Sequence, residues 1–246
     1  MKFLNAVLSL YKRTRKNYRV NSKNKILKER WSKKNYKPQL KKVDELIGLD
    51  RCVISYINLS HRKDRFFEIC SEFEKIDISN FTRFNAIAHS NGALGCSKSH
   101  AMLLKEANIT AEKLFMVCED DCQFLVDRTF IDTLVDEFFA NPNLDVLCLG
   151  YNATSGVPVS QNLMITSDTL SLSCYVIKSH AIGVVLESAL KSINFLSQGE
   201  SAQKFAIDVV WKEAQKKLFF ARPKFRVVKQ RPSYSNIEES YTDYGV

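Results

Sequence analysis

From Arg51 onward, short apolar runs of strand length alternate with amphipathic stretches of helical length, and this alternation is the strongest constraint on the fold. Residues 52–59 are apolar almost without a break, as a strand buried on both faces requires. In the following segment, 64–76, Phe66, Ile69, Cys70, Phe73 and Ile76 share one helical face. The same reading predicts strands over 81–87, 114–118, 146–150, 172–178, 219–221 and 227–230, and helices over 97–107, 129–140, 180–192 and 206–217. Thr129 and Asp132 stand at capping-box spacing. Strands alternating with helices of about 10–15 residues imply an α/β sheet joined by crossovers. Ligands of such sheets sit beyond the carboxyl ends of the strands, so the polar residues after each strand are where chemistry is expected.

The chain has 246 residues, 45% of them apolar, enough to build one large core without a disulfide or metal staple. No apolar run reaches the ~18–20 residues that cross a bilayer. Seven cysteines are scattered with no C-x-x-C pair, which reads as reduced thiols packed as small hydrophobes in a reducing compartment.

Charge divides the chain in two. Residues 1–42 carry 15 Lys+Arg against the single acid Glu29, while the remaining 21 basic and 26 acidic residues leave the body at −5. The body has no basic stripe interleaved with aromatics, so nucleic acid is not an expected partner. In the tail, Phe3, Leu4, Val7, Leu8 and Tyr11 fall at helical spacing among basic residues. Two readings fit: a short amphipathic helix on an anionic membrane surface, or a solvated basic arm. No small-residue cleavage site follows, so removal as a signal peptide is not expected, and Pro38 closes the segment. The organisation expected is a basic arm over 1–47 and one α/β domain over 48–246.

Three strand-end segments carry the candidate chemistry. The strand LFMVC runs into Glu119-Asp120-Asp121, with no basic residue next in sequence until Arg128. Such a tripeptide is a solvated turn, a helix N-cap or a site for a hard divalent cation, Mg²⁺ or Mn²⁺ rather than zinc. The first strand ends in INLSHRKDR, where Asn58 suits hydrogen bonding to a base or ribose and Arg62 and Arg65 suit phosphates. The stretch NGALGCSKSH, 91–100, reads as a glycine-bearing loop opening a helix and suits an anion or sugar cradle; it is neither a Walker loop nor a dinucleotide fingerprint.

In combination, INLSHRKDR, FNAI, GCSKSH, a strand ending in EDD, LCLGYN, a Leu-Ser-Cys-Tyr-Val-Ile strand, Ile207-Asp208 and the late Gln230 and Ser235-Asn236-Ile237 resemble glycosyltransferase family 25, which includes bacterial lipooligosaccharide galactosyltransferases and collagen galactosyltransferases. The likeness spans about residues 51–237. It implies a GT-A type, Rossmann-like nucleotide-sugar fold, a UDP-sugar donor, a divalent cation (Mn²⁺ or Mg²⁺) and inverting transfer of a hexose, galactose or glucose, to a lipooligosaccharide or other glycolipid or oligosaccharide acceptor. Carried over by position, Asn58, Arg62 and Arg65 lie by the nucleotide, Gly95, Ser99, His100 and Asp120 by the donor, and Glu119 and Asp121 hold the metal. Asp208 is the expected catalytic base, and a further metal ligand is left to Asn236, Asp243 or water. The tail and the resemblance together imply a cytoplasmic enzyme peripheral on the inner face of a bacterial membrane. Competing readings are a membrane- or nucleic-acid-attached adaptor with an inactive α/β body and another metal-dependent nucleotide enzyme.

Overall fold

A computed structural model describes residues 2–34, 47–107, 113–235 and 240–242. The chain runs α1 (Lys2–Ser32), a 3₁₀ turn (Gly48–Arg51), β1 (Cys52–Asn58), α2 (Lys63–Lys75), β2 (Thr82–Asn85), α3 (Gly92–Glu106), β3 (Leu114–Glu119), β4 (Cys122–Phe124), α4 (Arg128–Ala140) and β5 (Val146–Cys148). It continues with β6 (Val157–Pro158), β7 (Leu163–Thr166), β8 (Cys174–Lys178), a 3₁₀ turn (Ser179–Ala181), α5 (Ile182–Ser197), α6 (Ala202–Phe205), α7 (Ile207–Val210), α8 (Ala214–Lys217), β9 (Phe220–Pro223), β10 (Val228–Gln230), β11 (Ser233–Ser235) and β12 (Ser240–Thr242).

Eight strands form one sheet in the order β2-β1-β3-β8-β5-β9-β7-β6. The pairings leave six strands running one way, with β8 and β7 reversed. The expected α/β class with a mainly parallel sheet is therefore present. Strand side chains alternate between two cores: Tyr56, Met116, Leu147 and Val176 pack under α2 and α4, whereas Phe115, Val117, Val146 and Tyr175 pack under α3 and α5. Helices thus cover both faces, which is why the central strands read as unbroken apolar runs.

Several expectations are corrected. α3 starts at Gly92 rather than Ser97, because the Asn91 side chain caps it by accepting from Leu94 N at 3.1 Å; the glycines that mimic a loop are in its first turns. α4 is capped by Asp127, which accepts from Phe130 N at 2.9 Å, whereas Asp132 accepts from Arg128 Nε and Leu49 N, both at 2.8 Å. The helix expected over 206–217 is broken between Val210 and Ala214; the Trp211 indole in the break and the buried Gln215 amide in α8 both donate to Thr169 O at 2.9 Å. β4, β6, β7, β11 and β12 are too short or too polar to register in periodicity.

The arm is helical but does not end where the charge pattern suggests. Leu27 is 1% exposed in the core under α4, and the Trp31 ring meets Phe219 edge-on at 5.1 Å. Lys23 Nζ donates to Asp168 at 2.8 Å and Arg30 to Gln215 O at 3.0 Å. Residues 23–31 therefore pack as part of the domain, while Lys12, Arg13, Arg15, Lys16 and Arg19 are exposed. The side chains of Phe3, Leu4, Val7, Leu8 and Tyr11, together with Pro38, lie outside the described residues. Among the described residues, no helix is long and apolar enough to cross a membrane. All seven cysteines are free thiols, and the fold gathers three that are apart in sequence: Cys118, Cys122 and Cys174 bring their sulfurs within 4.8 Å of one another.

Candidate active site

β1 and β3 are parallel neighbours, yet the chain leaves β1 through α2 to reach β2 on one side and returns through α3 to reach β3 on the other. With α2 and α3 on opposite faces, the carboxyl ends of β1 and β3 form a switch point, where open α/β sheets leave a crevice. Asn58 ends β1 and Glu119 ends β3. Reversed β8 brings the residues before Cys174 to the same edge, and β10 pairs with β4 so that Gln230 lies opposite Cys122.

The acid turn is split by its partners. The sequence shows no nearby base, but α2 supplies one: Arg65 Nη1 donates to Asp120 Oδ1 at 2.8 Å and to Asp121 Oδ2 at 3.3 Å. Asn58, 1% exposed, donates Nδ2 to Asp120 Oδ2 at 2.7 Å and accepts from Arg83 Nη2 at 2.6 Å. Its side chain is thus committed to protein, and its placement is behind Asp120 rather than on the cavity wall. Arg62 lines the cavity and pairs with exposed Asp64 at 2.7 Å. Burial first, then repulsion from Glu119, pushes the Asp121 carboxyl up to about 7, against the pull of Arg65. Asp120 is also raised by burial. Asp121 Oδ1 is buried without a hydrogen-bond partner among the described residues. A carboxylate so placed fits a cation: it is charged only at a cost unless a positive group meets that oxygen.

Glu119 turns away from its two neighbours. Its Oε1 lies 3.1 Å from His100 Nε2 and 3.7 Å from Cys96 Sγ. Although burial acts to raise it, the His100 hydrogen bond and charge, with help from Cys96, hold its carboxyl below the usual range. His100, 1% exposed, places Nδ1 3.3 Å from the buried Tyr175 hydroxyl. Ser99 Oγ donates to Gly95 O and accepts from Ile87 N, both at 2.8 Å, tying α3 to the segment after β2. Gly95 is required by close approach, since a Cβ there would stand 2.7 Å from Ile87 O.

Two cavities meet at this wall. The first, about 230 Å³, is lined by His61, Arg62, His89, Gly92, His100 and the acid turn; the second, about 320 Å³, by Asn152, Ser171, Gln203 and Asp208. Cys96, Glu119 and Gln230 line both. Asp208 accepts from Ser171 N at 3.3 Å, and burial, with repulsion from Glu119, raises its carboxyl. Ser171 holds φ at +74°, a left-handed conformation that non-glycine residues adopt at a cost and that clusters at functional sites. Its Oγ reaches Gln230 Oε1 at 3.4 Å.

The structure brings Arg62, Arg65, Gly95, Ser99, His100, Glu119, Asp120 and Asp121 onto the first cavity and puts Asp208 in the second. Asn236 and Asp243 lie outside the described residues. The roles of Cys96, Ser171 and Tyr175 are not legible in spacing, because each is recruited from a different element. Gln230 is visible in sequence only as a late polar residue.

No family model matches the chain, and no curated protein matches it. Among solved structures it is similar to a glycosyltransferase involved in glycosylation of the major capsid of PBCV-1, at 9% identity, covering 76% of this chain and 96% of that one with a TM-score of 0.37. It is also similar to a nucleoside-diphosphate-sugar pyrophosphorylase from Vibrio cholerae RC9, at 10% identity, covering 78% and 85% with a TM-score of 0.35. Likenesses of this size identify neither a family nor an activity, and the α/β assignment rests on the sheet order itself.

Proposed function

We propose that this chain is an inverting, GT-A type glycosyltransferase that moves a hexose from a UDP-sugar to a hydroxyl of a glycolipid or oligosaccharide acceptor. The observation that carries the reading is the pair of joined cavities with the acid turn beside one and Asp208 in the other. An in-line displacement needs two binding volumes that share a wall, a base on the acceptor side and charge neutralisation on the leaving-group side.

In this reading the donor occupies the first cavity. The amino end of α3 at Gly92 and Ala93, together with Arg62, faces the diphosphate. Of the two acids expected to hold the cation, Glu119 is turned to His100 and Cys96, so Asp121, with its buried unpartnered Oδ1, would hold Mn²⁺ or Mg²⁺, which when bound supplies neutralisation of the departing diphosphate. Arg65 and Asn58 keep Asp120 and Asp121 oriented. Asp208 takes the acceptor hydroxyl proton as the oxygen attacks, and its raised carboxyl makes it a stronger base than an ordinary aspartate. The exposed bases of α1 carry the protein to an anionic membrane surface, each contributing about 1 kcal/mol at most.

The test is UDP release from UDP-galactose and UDP-glucose with Mn²⁺, with and without a core glycolipid acceptor. Release that depends on both metal and acceptor supports transfer. Acceptor-independent release of free sugar indicates a hydrolase, and no release with either donor leaves the body as an adaptor.

A further inference from the structure

The carboxylates of Glu119, Asp120 and Asp121 do not converge on one point; among the described residues, the donor group that includes Glu119 is completed by Cys96 and His100. We propose that Cys96, His100 and Glu119 form a three-ligand site for a borderline transition-metal ion, Zn²⁺ above all, in the wall between the two cavities.

Cys96 and His100 are four residues apart on α3, so they project from one face of the helix, and Glu119 at the end of β3 closes the triangle. Nε2 and Sγ stand 3.1 and 3.7 Å from Glu119 Oε1, and all three donor atoms lie within 4.8 Å of one another. Ligands at about 2.0–2.3 Å from a tetrahedral zinc are about 3.3–3.8 Å apart, so small side-chain adjustments suffice. Charge balances too: a dication that displaces the Cys96 proton to solvent meets one thiolate, one carboxylate and a neutral imidazole, leaving no net charge in a poorly solvated wall.

Two further features point to a ligand rather than a closed hydrogen-bond cluster. A metal-bound histidine normally engages its second nitrogen, and His100 Nδ1 has the buried Tyr175 hydroxyl at 3.3 Å. All three donors line the first cavity, and Cys96 and Glu119 line the second as well. Three protein ligands beside open space are the arrangement of zinc sites that accept an outside ligand. The mixed N, S and O set selects zinc or cobalt over the magnesium or manganese that an all-oxygen set prefers. This inference is independent of the transferase reading, since it uses only the donor geometry.

Co²⁺ titration of the reduced full-length protein tests it. The expected result is one Co²⁺ per chain with a thiolate-to-cobalt charge-transfer band and four-coordinate d–d bands, both displaced by Zn²⁺. Cys96→Ser should lose the charge-transfer band, and Tyr175→Phe should weaken binding about 10–100-fold. Asp121→Asn should keep the spectrum, so its loss of UDP release beside an intact cobalt site would separate the two readings. Absence of the band in the wild-type protein at saturating Co²⁺ overturns the proposal. A band undiminished in Cys96→Ser also overturns it and moves the thiolate to the Cys118, Cys122 and Cys174 group.

Discussion

Arg65 Nη1 donates to Asp120 Oδ1 at 2.8 Å, across 55 residues of sequence. A single guanidinium from α2 is thereby the counter-charge that the acid turn lacks in its own segment. Replacing Arg65 with Met leaves Asp120 and Asp121 buried beside each other, at a cost of about 3–5 kcal/mol for an uncompensated buried charge. Thermal melting should show a lower midpoint for Arg65→Met, and added Mn²⁺ should recover more of it than it adds to the wild-type protein. A midpoint unchanged in the absence of metal would show that the pair is not what holds the turn.

Asp121→Asn removes the carboxylate that burial and Glu119 already push towards neutrality. The cation-free variant should be as stable as the parent or more so, while metal-dependent stabilisation and UDP release are lost. Near-normal metal-dependent release by Asp121→Asn would remove this residue from the cation site.

For Asp208, the expected outcome of substitution by Asn is a turnover lower by roughly 10²–10⁴-fold with donor affinity little changed. Because its carboxyl is raised, wild-type turnover should fall on the acid side at a higher pH than an ordinary aspartate would give. Isothermal titration with UDP-sugar beside the rate assay separates base from binding residue: a collapse in affinity would assign Asp208 to binding.

The docked part of α1 gives a pH prediction. Asp168 accepts from Lys23 at 2.8 Å and from Ser155 N at 3.0 Å. Although burial opposes it, these bonds and one from Thr154 hold its carboxyl below the ordinary 3.8. A depressed folded-state value contributes stability that is present above the unfolded value and lost as pH falls through the folded one. α1 should therefore loosen as pH drops below about 4, seen as a change in Trp31 fluorescence that Asp168→Asn shows already at neutral pH. A Trp31 signal insensitive to both changes would detach this cluster from helix docking.

Truncation resolves the two halves of the arm. Removing residues 1–19 should leave stability and transfer to a soluble acceptor largely intact while abolishing co-sedimentation with anionic vesicles, an attachment that salt should also weaken. Removing residues 1–34 should destabilise the body, as should Leu27→Ala alone, by about 2–5 kcal/mol. Equal vesicle binding by full-length and 1–19-deleted protein would show that the exposed bases are not an anchor.

Strand and helix order was legible in the sequence because periodicity reports one-sided or two-sided burial, and the core runs of β1, β3 and β8 are buried on both faces. The acid turn and the glycine segment were visible for the same local reason: residue types adjacent in sequence share one place in the fold. What the acids do was decided only by tertiary packing. Arg65 and Asn58 reach them from α2 and β1, Gln230 of β10 lines the same cavity, and α3 takes Glu119 away from its neighbours by presenting Cys96 and His100. The arm shows the same limit, since charge composition marks residues 1–42 as one unit while Leu27 and Trp31 bind its last turns into the core. Composition and spacing carry no distance between remote residues, and the charge state and ligand chemistry of a buried carboxylate depend on those distances.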